Sequence, residues 1–538
     1  MTVVLDAPNV ERFRRFLSNR FGFHLDETKF AMLADLLRRR VEASGKSAVQ
    51  FLDSLEAVDA GADLRAIVAE VTVPETYFFR NIDQFRAFTD VALVERLRAR
   101  APSKQLRLLS AGCASGEEPY SLAISIRQAA LDPSWNVSIL GVDLNQVVLE
   151  KAARGRFTPW ALRETPDDVR RRWFHADGAD LVLDEEIRSA VRFEQRNLVD
   201  RAAAPWAPGS FDVIFWRNVM MYFTPQDAQA VLARLTRALA PGGYLFLGHA
   251  ETLRGISNDF HLRHTHGTFY YQRRLDDEPR QLPAPIDSSL AGSVGAETLS
   301  AAFEAADSWV DTIQKASQRI GVLADASEVS AAPVMAAGPP MVASAPVASA
   351  PVASAPVASA PVASAPVASA PAWNLARVLA LLEKEQFADA LGQVRALPPE
   401  SARDPQVLLL RAALLTHSGQ LAEAEEACAE LLAVDELDAG AHYLLALCRE
   451  GAGDRRAATD HDQIAAYLDP GFAMPRLHLG LLSRRANNRE SARHDLGHAL
   501  VLLQREDASR LMLFGGGFGR EALVALCRAE LVACGGTP

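Results

Sequence analysis

Cysteine is scarce and scattered. Cys113, Cys428, Cys448, Cys527 and Cys534 are five in 538 residues, odd in number and without ligand spacing. That excludes a disulfide scaffold and the common zinc modules, and it suits a reducing compartment. No stretch of 18 strongly apolar residues occurs, so no membrane span is predicted. The opening MTVVLDAPNVERFRRF has no apolar core behind a basic end, so no secretory signal is expected and the chain reads as soluble and cytoplasmic. Basic residues are outnumbered, 56 against 67, and the net charge of -11 argues against a general nucleic-acid binder. The phosphate cradle GxxxxGK followed by Ser or Thr is missing, which disfavours ATP.

A second absence divides the chain. From Val329 to Ala376 there is no Asp, Glu, Lys or Arg, and Pro346 to Ala370 is five tandem copies of PVASA. A proline every fifth residue prevents a lasting helix, and small side chains bury too little to offset ordering entropy. The segment 275–372 is therefore predicted to be a disordered, semi-extended linker, its repeats spanning up to about 80 Å if polyproline II. Behind it, Gly419, Gly453 and Asn487 are spaced by 34 residues, as are Ala424, Ala458 and Ala492, and Ala412, Ala446 and Gly480. Small residues suit close helix crossings, and Gly or Asn suits the turn between helices. A period of 34 resembles the tetratricopeptide repeat, so residues 373–538 are expected to form an all-α solenoid. The final GGGFGREALVALCRAEL would supply its closing helix.

Ahead of the linker, residues up to about Arg100 carry apolar side chains at helical spacing, as in FRRFLSNRFGF and FAMLADLLRRR. Then LRLLSAG, NVSILGVD, FDVIFWRN and GGYLFLGHA alternate with helical stretches, which implies a mainly parallel sheet covered on both faces. Ligands of such sheets sit beyond the strands' carboxyl ends, which makes the small-residue turn after LRLLSAG a natural cofactor floor. Gly112 closes the first strand, and Asp143, 31 residues on, closes the next. An acid there can accept both hydroxyls of a ribose, which points to a nucleoside-bearing cofactor. Glu117 and Glu118 open the following helix. They would repel pyrophosphate but can pair with an ammonium group, or simply complement the helix dipole.

Five segments in order, VTVPETYFFRNIDQF, SAGCASGEEPYSLAI, GVDLNQVVLEKAARG, FDVIFWRNVMMYF and APGGYLFLGHAETL, resemble the CheR family of chemotaxis-receptor methyltransferases, and the attached repeats resemble its longer members of surface-sensing and biofilm pathways. The resemblance spans residues 5–273. It implies an N-terminal helical domain at 1–85 and a Rossmann-like methyltransferase domain at 86–274 with a small antiparallel β subdomain. S-adenosylmethionine would be the methyl donor and S-adenosylhomocysteine the product. The acceptor would be glutamate side chains, esterified on a methyl-accepting chemoreceptor-like protein. By the same resemblance Thr76 and Arg80 hold the methionine end of the cofactor, Glu118 its ammonium, and Asp143 the ribose. Asn197 and Leu198 border the adenine, Arg217 and Asn218 form the floor, and Tyr222 lies near the transferring methyl. Pro74 stands where the family often has asparagine, so the side-chain hydrogen bond to the cofactor that the family makes there is not expected from this residue.

Chemistry supports the same reading. A glutamate carboxylate, with an ordinary pKa about 4.3, is already a nucleophile at neutral pH and needs alignment and exclusion of water rather than a strong base. Arg80 and Tyr222 are therefore the candidate catalytic residues, as orienters; by local sequence alone they read as a salt bridge and a core tyrosine. No metal is expected: His261, His264 and His266 have tempting spacing, but they run into a strand without an acid or cysteine nearby in sequence. Between Asn9 and Lys46 nine basic and five acidic residues leave +4, either a solvated face or a surface for an acidic partner. Two alternatives stay open. The repeats are expected to dock an unknown protein, and in one alternative the chain is a scaffold whose methyltransferase part senses cofactor; in the other the acceptor is another carboxylate.

Overall fold

The computed structural model describes residues 6–57, 61–72, 74–200, 204–276 and 387–536, with the single positions 378 and 381. The linker expected over 275–372 lies outside the described residues apart from Leu275 and Asp276, as do residues 373–386 apart from positions 378 and 381. The chain forms two units.

In the first unit, α1 (Ala7–Phe21), α2 (Phe30–Ser44), α3 (Ala48–Glu56) and α4 (Gly61–Val71) share one core. Their apolar residues recur every three or four positions, so each presents one stripe inward: Val10, Phe13, Leu17 and Phe21 on α1 meet Leu33, Leu37 and Val41 on α2. Asp6 caps α1 by accepting from the Asn9 N–H, and Gly22, at φ 73, ends it. α3 opens on a capping box of Ser47 and Gln50.

After α5 (Ile82–Ala87) and α6 (Val94–Arg100) the α/β pattern begins. In chain order come β1 (Gln105–Ala111), α7 (Glu117–Gln128), β2 (Asn136–Asp143) and α8 (Gln146–Arg154). An insertion follows: β3 (Arg156–Phe157), α9 (Asp167–Trp173), β4 (Phe174–Asp177), β5 (Asp180–Leu183) and α10 (Glu185–Arg188). Then come β6 (Val191–Gln195), β7 (Phe211–Trp216), α11 (Pro225–Ala238), β8 (Leu239–Leu247), β9 (Phe260–Thr265) and β10 (Thr268–Arg273). The seven-stranded sheet has the order β6-β2-β1-β7-β8-β10-β9. Its first five strands are parallel, with Leu108 opposite Ile139 on one side and Val213 on the other. β10 runs antiparallel to both β8 and β9, so the sheet is mixed; the apolar runs predicted β1, β2, β7 and β8 of its parallel part, and β6 is an addition. All six residues of β7 are buried, as expected of a strand covered on both faces. One is Asp212, whose carboxylate holds Arg96 at 3.1 Å and Arg100 at 2.6 Å and so pins α6 to the sheet edge of the core. The insertion between α8 and β6 carries a separate antiparallel sheet of order β3-β5-β4.

Strand order reverses at β1. From there the chain goes out through β2 and β6 on one side and β7 and β8 on the other. The crevice at this switch point opens at the strands' carboxyl ends.

The second unit is all-helical from Phe387 to Ala533 among the described residues. Gly419 (φ 73), Gly453 (φ 83) and Asn487 (φ 58), the 34-residue series, each adopt the left-handed conformation between the helices Pro405–His417 and Leu421–Val434, Ala439–Gly451 and Arg455–Leu468, and Ala473–Arg485 and Arg489–Leu503. Ala412, Ala446, Ala424, Ala458 and Ala492 are fully buried. At Gly480 a Cβ would stand 2.6 Å from Leu496 Cγ, so the spacing of small residues reports helices in close contact. No helix among the described residues is long and apolar enough to cross a membrane.

Candidate active site

The turn after β1 is built from residues that tolerate unusual backbone. Gly112 (φ 82), Ala114 (φ 45) and Gly116 (φ 94) are all left-handed, and β2 has no room for larger groups there: a Cβ at Gly141 would meet Phe193 at 2.9 Å. Asp143, at the end of β2, joins the two turns. Its Oδ2 accepts from the Ala114 N–H at 2.9 Å and its Oδ1 from the Asn145 N–H at 2.8 Å. Burial raises its pKa, with the backbone donors at Asn145 and Ala114 opposing.

Charge is concentrated beside this turn. Glu118, on the first turn of α7, accepts from the Ser110 hydroxyl at 2.7 Å and from Arg217 Nη1 at 3.1 Å. The side chains of this pair are 13% and 2% exposed. Burial pushes the Glu118 carboxyl up, while Arg217 and Ser110 oppose it. Arg217 also donates through Nη2 to the Arg80 carbonyl at 2.5 Å and to Asn81 Oδ1 at 3.0 Å. That fixes the segment PETYFFR, where Phe79 (φ 56) and Asn81 (φ 61) flank Arg80 in the left-handed region. A bulky residue at positive φ costs on the order of 1–3 kcal/mol and persists only where its surroundings hold it. Here the Phe79 N–H donates to Ser121 Oγ at 3.0 Å and Arg217 holds the other side.

These elements enclose a cavity of about 480 Å³. Thr76, Arg80, Glu118, Asp143, Asn197, Leu198, Arg217, Asn218 and Tyr222 all line it, so residues drawn from five separate segments of the chain converge on one space. Their roles inside it differ from a simple list of ligand contacts. Asn197 spends its side chain on protein, donating to the Arg20 carbonyl at 2.9 Å and accepting from the Val199 N–H at 3.1 Å. Tyr222 lies on a short 3₁₀ turn, Met220–Tyr222, with its side chain 38% exposed toward the mouth.

Several lining residues carry no warning in the local sequence. Phe21, Phe23, His24, Lys29 and Met32 come from α1, α2 and the loop between them. That loop bonds directly to the Tyr222 segment: the His24 N–H donates to the Tyr222 carbonyl at 2.8 Å, the Thr224 N–H to the Gly22 carbonyl at 2.9 Å, and Phe23 bridges Phe223. Asn145, which lines the wall, donates to Thr72 Oγ1 at 2.9 Å. Glu251, buried behind the floor, accepts from the N–H groups of Asn218 and Gly248 at 2.8 Å each. An acid four residues past a strand end, in GHAETL, was the available signal.

The donor set fits a ligand that is amphoteric and carries a nucleoside. Arginine cations and a carboxylate stand within one cavity beside an acid that closes the second strand, and Arg217 Nε is buried without a hydrogen-bond partner. Among the described residues no group of three His, Cys, Asp or Glu is placed to hold a metal. His264 instead stacks on Phe269 with ring centroids 4.3 Å apart, and His266 Nε2 lies 3.0 Å from Asp90. The basic residues of α1 and α2 are largely paired within their own helices or to neighbours: Arg12 with Asp53 and Glu56, Arg14 with Glu11, Arg39 with Glu70, Arg40 with Asp63. Of the two tryptophans in the insertion, Trp173 is buried and Trp160 is 70% exposed.

Known proteins are similar to this chain in sequence. Residues 74–269 match the family described as CheR methyltransferase, SAM binding domain. Chemotaxis protein methyltransferase 2 of Vibrio cholerae is 32% identical over 280 residues, covering 50% of this chain and 94% of the relative. Chemotaxis protein methyltransferase 1 of Pseudomonas aeruginosa is 32% identical over 260 residues, 47% of this chain and 93% of the relative. The probable biofilm formation methyltransferase WspC of Pseudomonas putida is 35% identical over 244 residues, 45% of this chain and 56% of the relative. The chain is thus a member of the CheR family, a protein methyltransferase that uses S-adenosylmethionine, and acts in chemotaxis-type signalling.

Proposed function

We propose that this protein esterifies glutamate side chains on the cytoplasmic helices of a methyl-accepting, chemoreceptor-like protein. The observation that carries the reading is the convergence of nine residues, spread from Thr76 to Tyr222, on one cavity that holds both arginine cations and carboxylates. The acceptor carboxylate is already ionised at neutral pH and needs orientation rather than a strong base.

In this reading Thr76 and Arg80 hold the methionine end of the cofactor, Glu118 receives its ammonium, and Asp143 its ribose hydroxyls. Asn197 and Leu198 border the adenine, chiefly through backbone and apolar surface because the Asn197 side chain is engaged elsewhere. Arg217 and Asn218 make the floor. Bound S-adenosylmethionine supplies an activated methyl group. The chain's part is to orient the acceptor carboxylate through Arg80 and Tyr222, and to keep water out with Phe23, Met32 and Met221 at the mouth. Residues 1–85 and 86–274 act together as the catalytic part. The helices beyond 373 are read as a tetratricopeptide solenoid that docks a partner protein, and the linker holds enzyme and target at raised local concentration.

The test is transfer of labelled methyl to a purified receptor cytoplasmic fragment. A glutamyl ester releases volatile methanol in alkali, so alkali-stable label would sink the proposal. Arg80→Ala and Asp143→Ala should each weaken calorimetric binding of S-adenosylmethionine.

A further inference from the structure

We infer that Glu251 is a positioning residue of the methyl-transfer reaction, its carboxylate holding the segment 217–222 in the shape that presents Tyr222 to the cavity. The inference rests on the proposed role of Tyr222 as an orienter.

Glu251 is 5% exposed and follows the end of β8. Its Oε2 accepts from the N–H groups of Asn218 and Gly248, both at 2.8 Å, and its Oε1 from the Met221 N–H at 3.4 Å. These donors belong to backbone that leaves the sheet. Asn218 is left-handed at φ 57, which turns the following chain out of the strand direction. A buried N–H without an acceptor is costly, so the turn needs one supplied from elsewhere. A carboxylate suits the task because both of its oxygens accept and neither donates. The fit is close: a Cβ on Gly248 would stand 2.6 Å from Asn218 Nδ2 and 2.8 Å from Glu251 Oε2. The far end of the segment is tied by the Tyr222 carbonyl to the His24 N–H and by the Thr224 N–H to the Gly22 carbonyl. Glu251 therefore sets the near end of a loop whose other end the α1–α2 connection sets. Glu251 does not line the cavity, so it acts through Tyr222 and not on the reacting groups.

Glu251→Gln tests this with little change of shape. One oxygen can still serve Asn218 and Gly248, but the other becomes an NH₂ group facing the Met221 N–H, donor against donor. In the full chain, with a receptor cytoplasmic fragment as acceptor, kcat should fall by about tenfold or more while the Kd for S-adenosylmethionine stays within about threefold. Tyr222→Phe should also lose kcat, and the double variant should be about as slow as the worse single variant, because both changes disable one device. Multiplied losses in the double variant, a Glu251→Gln enzyme with wild-type kcat, or cofactor binding lost in proportion to turnover would each overturn the inference. A Tyr222→Phe enzyme with wild-type kcat would instead remove the reading of Tyr222 on which it stands. If Glu251→Gln fails to fold, Gly248→Ala displaces the same clamp with the carboxylate kept, and the same non-additivity with Tyr222→Phe is expected.

Discussion

Gly112→Ala asks whether the cofactor turn and the Tyr222 segment are packed as tightly as the geometry implies. Gly112 sits at φ 82, and a Cβ there would stand 2.3 Å from Val219 Cγ2, 3.3 Å from Val219 Cγ1 and 3.4 Å from Val219 Cβ. Two costs follow. Alanine in the left-handed region loses roughly 1–2 kcal/mol. Forcing a methyl group into filled space adds about 1–3 kcal/mol. The sum, about 2–5 kcal/mol, corresponds to a fall in melting temperature on the order of 10 °C for a unit of this size. Because Val219 follows Arg217 and Asn218, its displacement should also weaken binding of S-adenosylmethionine. Val219→Ala separates the two costs: it removes both Cγ atoms and leaves a contact at 3.4 Å, which is ordinary. The double variant should recover about 1–3 kcal/mol of the loss and keep the backbone part. Differential scanning calorimetry of the full chain, with and without the cofactor, reads both effects. Should Gly112→Ala melt within about 1 °C of wild type, or Val219→Ala restore nothing, the packing argument fails.

Three further outcomes are expected. Glu117 is 4% exposed and its carboxyl, bonded by the Ser115 hydroxyl, is raised by burial to about 7. A raised carboxyl means the folded state holds the proton more tightly, so this contribution to stability is present below the ordinary value of 4.5 and is lost as pH rises through about 7. Glu117→Gln should flatten that part of the melting profile and gain up to about 3 kcal/mol over wild type at pH 8; a Glu117→Gln profile parallel to wild type across the window would contradict it. Arg217→Met leaves Glu118 buried and unpaired and should cost on the order of 3–5 kcal/mol along with cofactor binding, whereas an unchanged melting temperature would mean the pair is already wet. In the second unit, Gly480→Ala should lower stability by about 1–2 kcal/mol, since the clash with Leu496 outweighs alanine's better helix propensity; a stabilised variant, read by urea unfolding, would show those helices to be farther apart.

What could be read in the sequence, and what could not, follows from where each physical demand arises. Four of the five parallel strands were legible because burial on both faces favours apolar runs, as in β7, where only Asp212 is polar; β6, VRFEQ at the sheet's edge, is only partly buried and left no such run. The 34-residue series was legible because left-handed turns and close crossings accept few residue types: Gly419, Gly453 and Asn487 at the one, Ala446 and Gly480 at the other. The hairpin of β9 and β10, which makes the sheet mixed, has alternating polar residues and left no such mark on sheet direction. The basic excess of α1 and α2 was visible as a count, but not its partners, because Asp53, Glu56, Asp63 and Glu70 lie on later helices.

The site divides along the same line. Asp143 and Glu118 stood out since a charge beside small turn residues at strand ends is expensive unless something binds it. Glu251, the Gly22–His24 loop and Asn145 did not, though each shapes the same cavity. What they satisfy is backbone belonging to other segments: N–H groups at Asn218 and Gly248, a carbonyl at Tyr222, a hydroxyl at Thr72. Such demands are created only once the chain has turned at Asn218 and α1 has ended at Gly22. A residue that binds ligand can therefore be foreseen from its own chemistry, while one that holds a neighbour's backbone is defined by a fold assembled around it. Asp143 and Glu118, two of the proposed cofactor contacts, are of the first kind, whereas Thr76, Arg80, Asn197, Leu198, Arg217 and Asn218 followed only from the family resemblance. The part that seats Tyr222 is of the second, and it depends on contacts between the amino-terminal helices and the sheet. A catalytic part cut to begin at Pro74 would keep Glu118, Asp143 and Arg217 yet lose the His24 and Gly22 anchors of the Tyr222 segment, and it should therefore turn over more slowly than the full chain if the proposed role of Tyr222 holds.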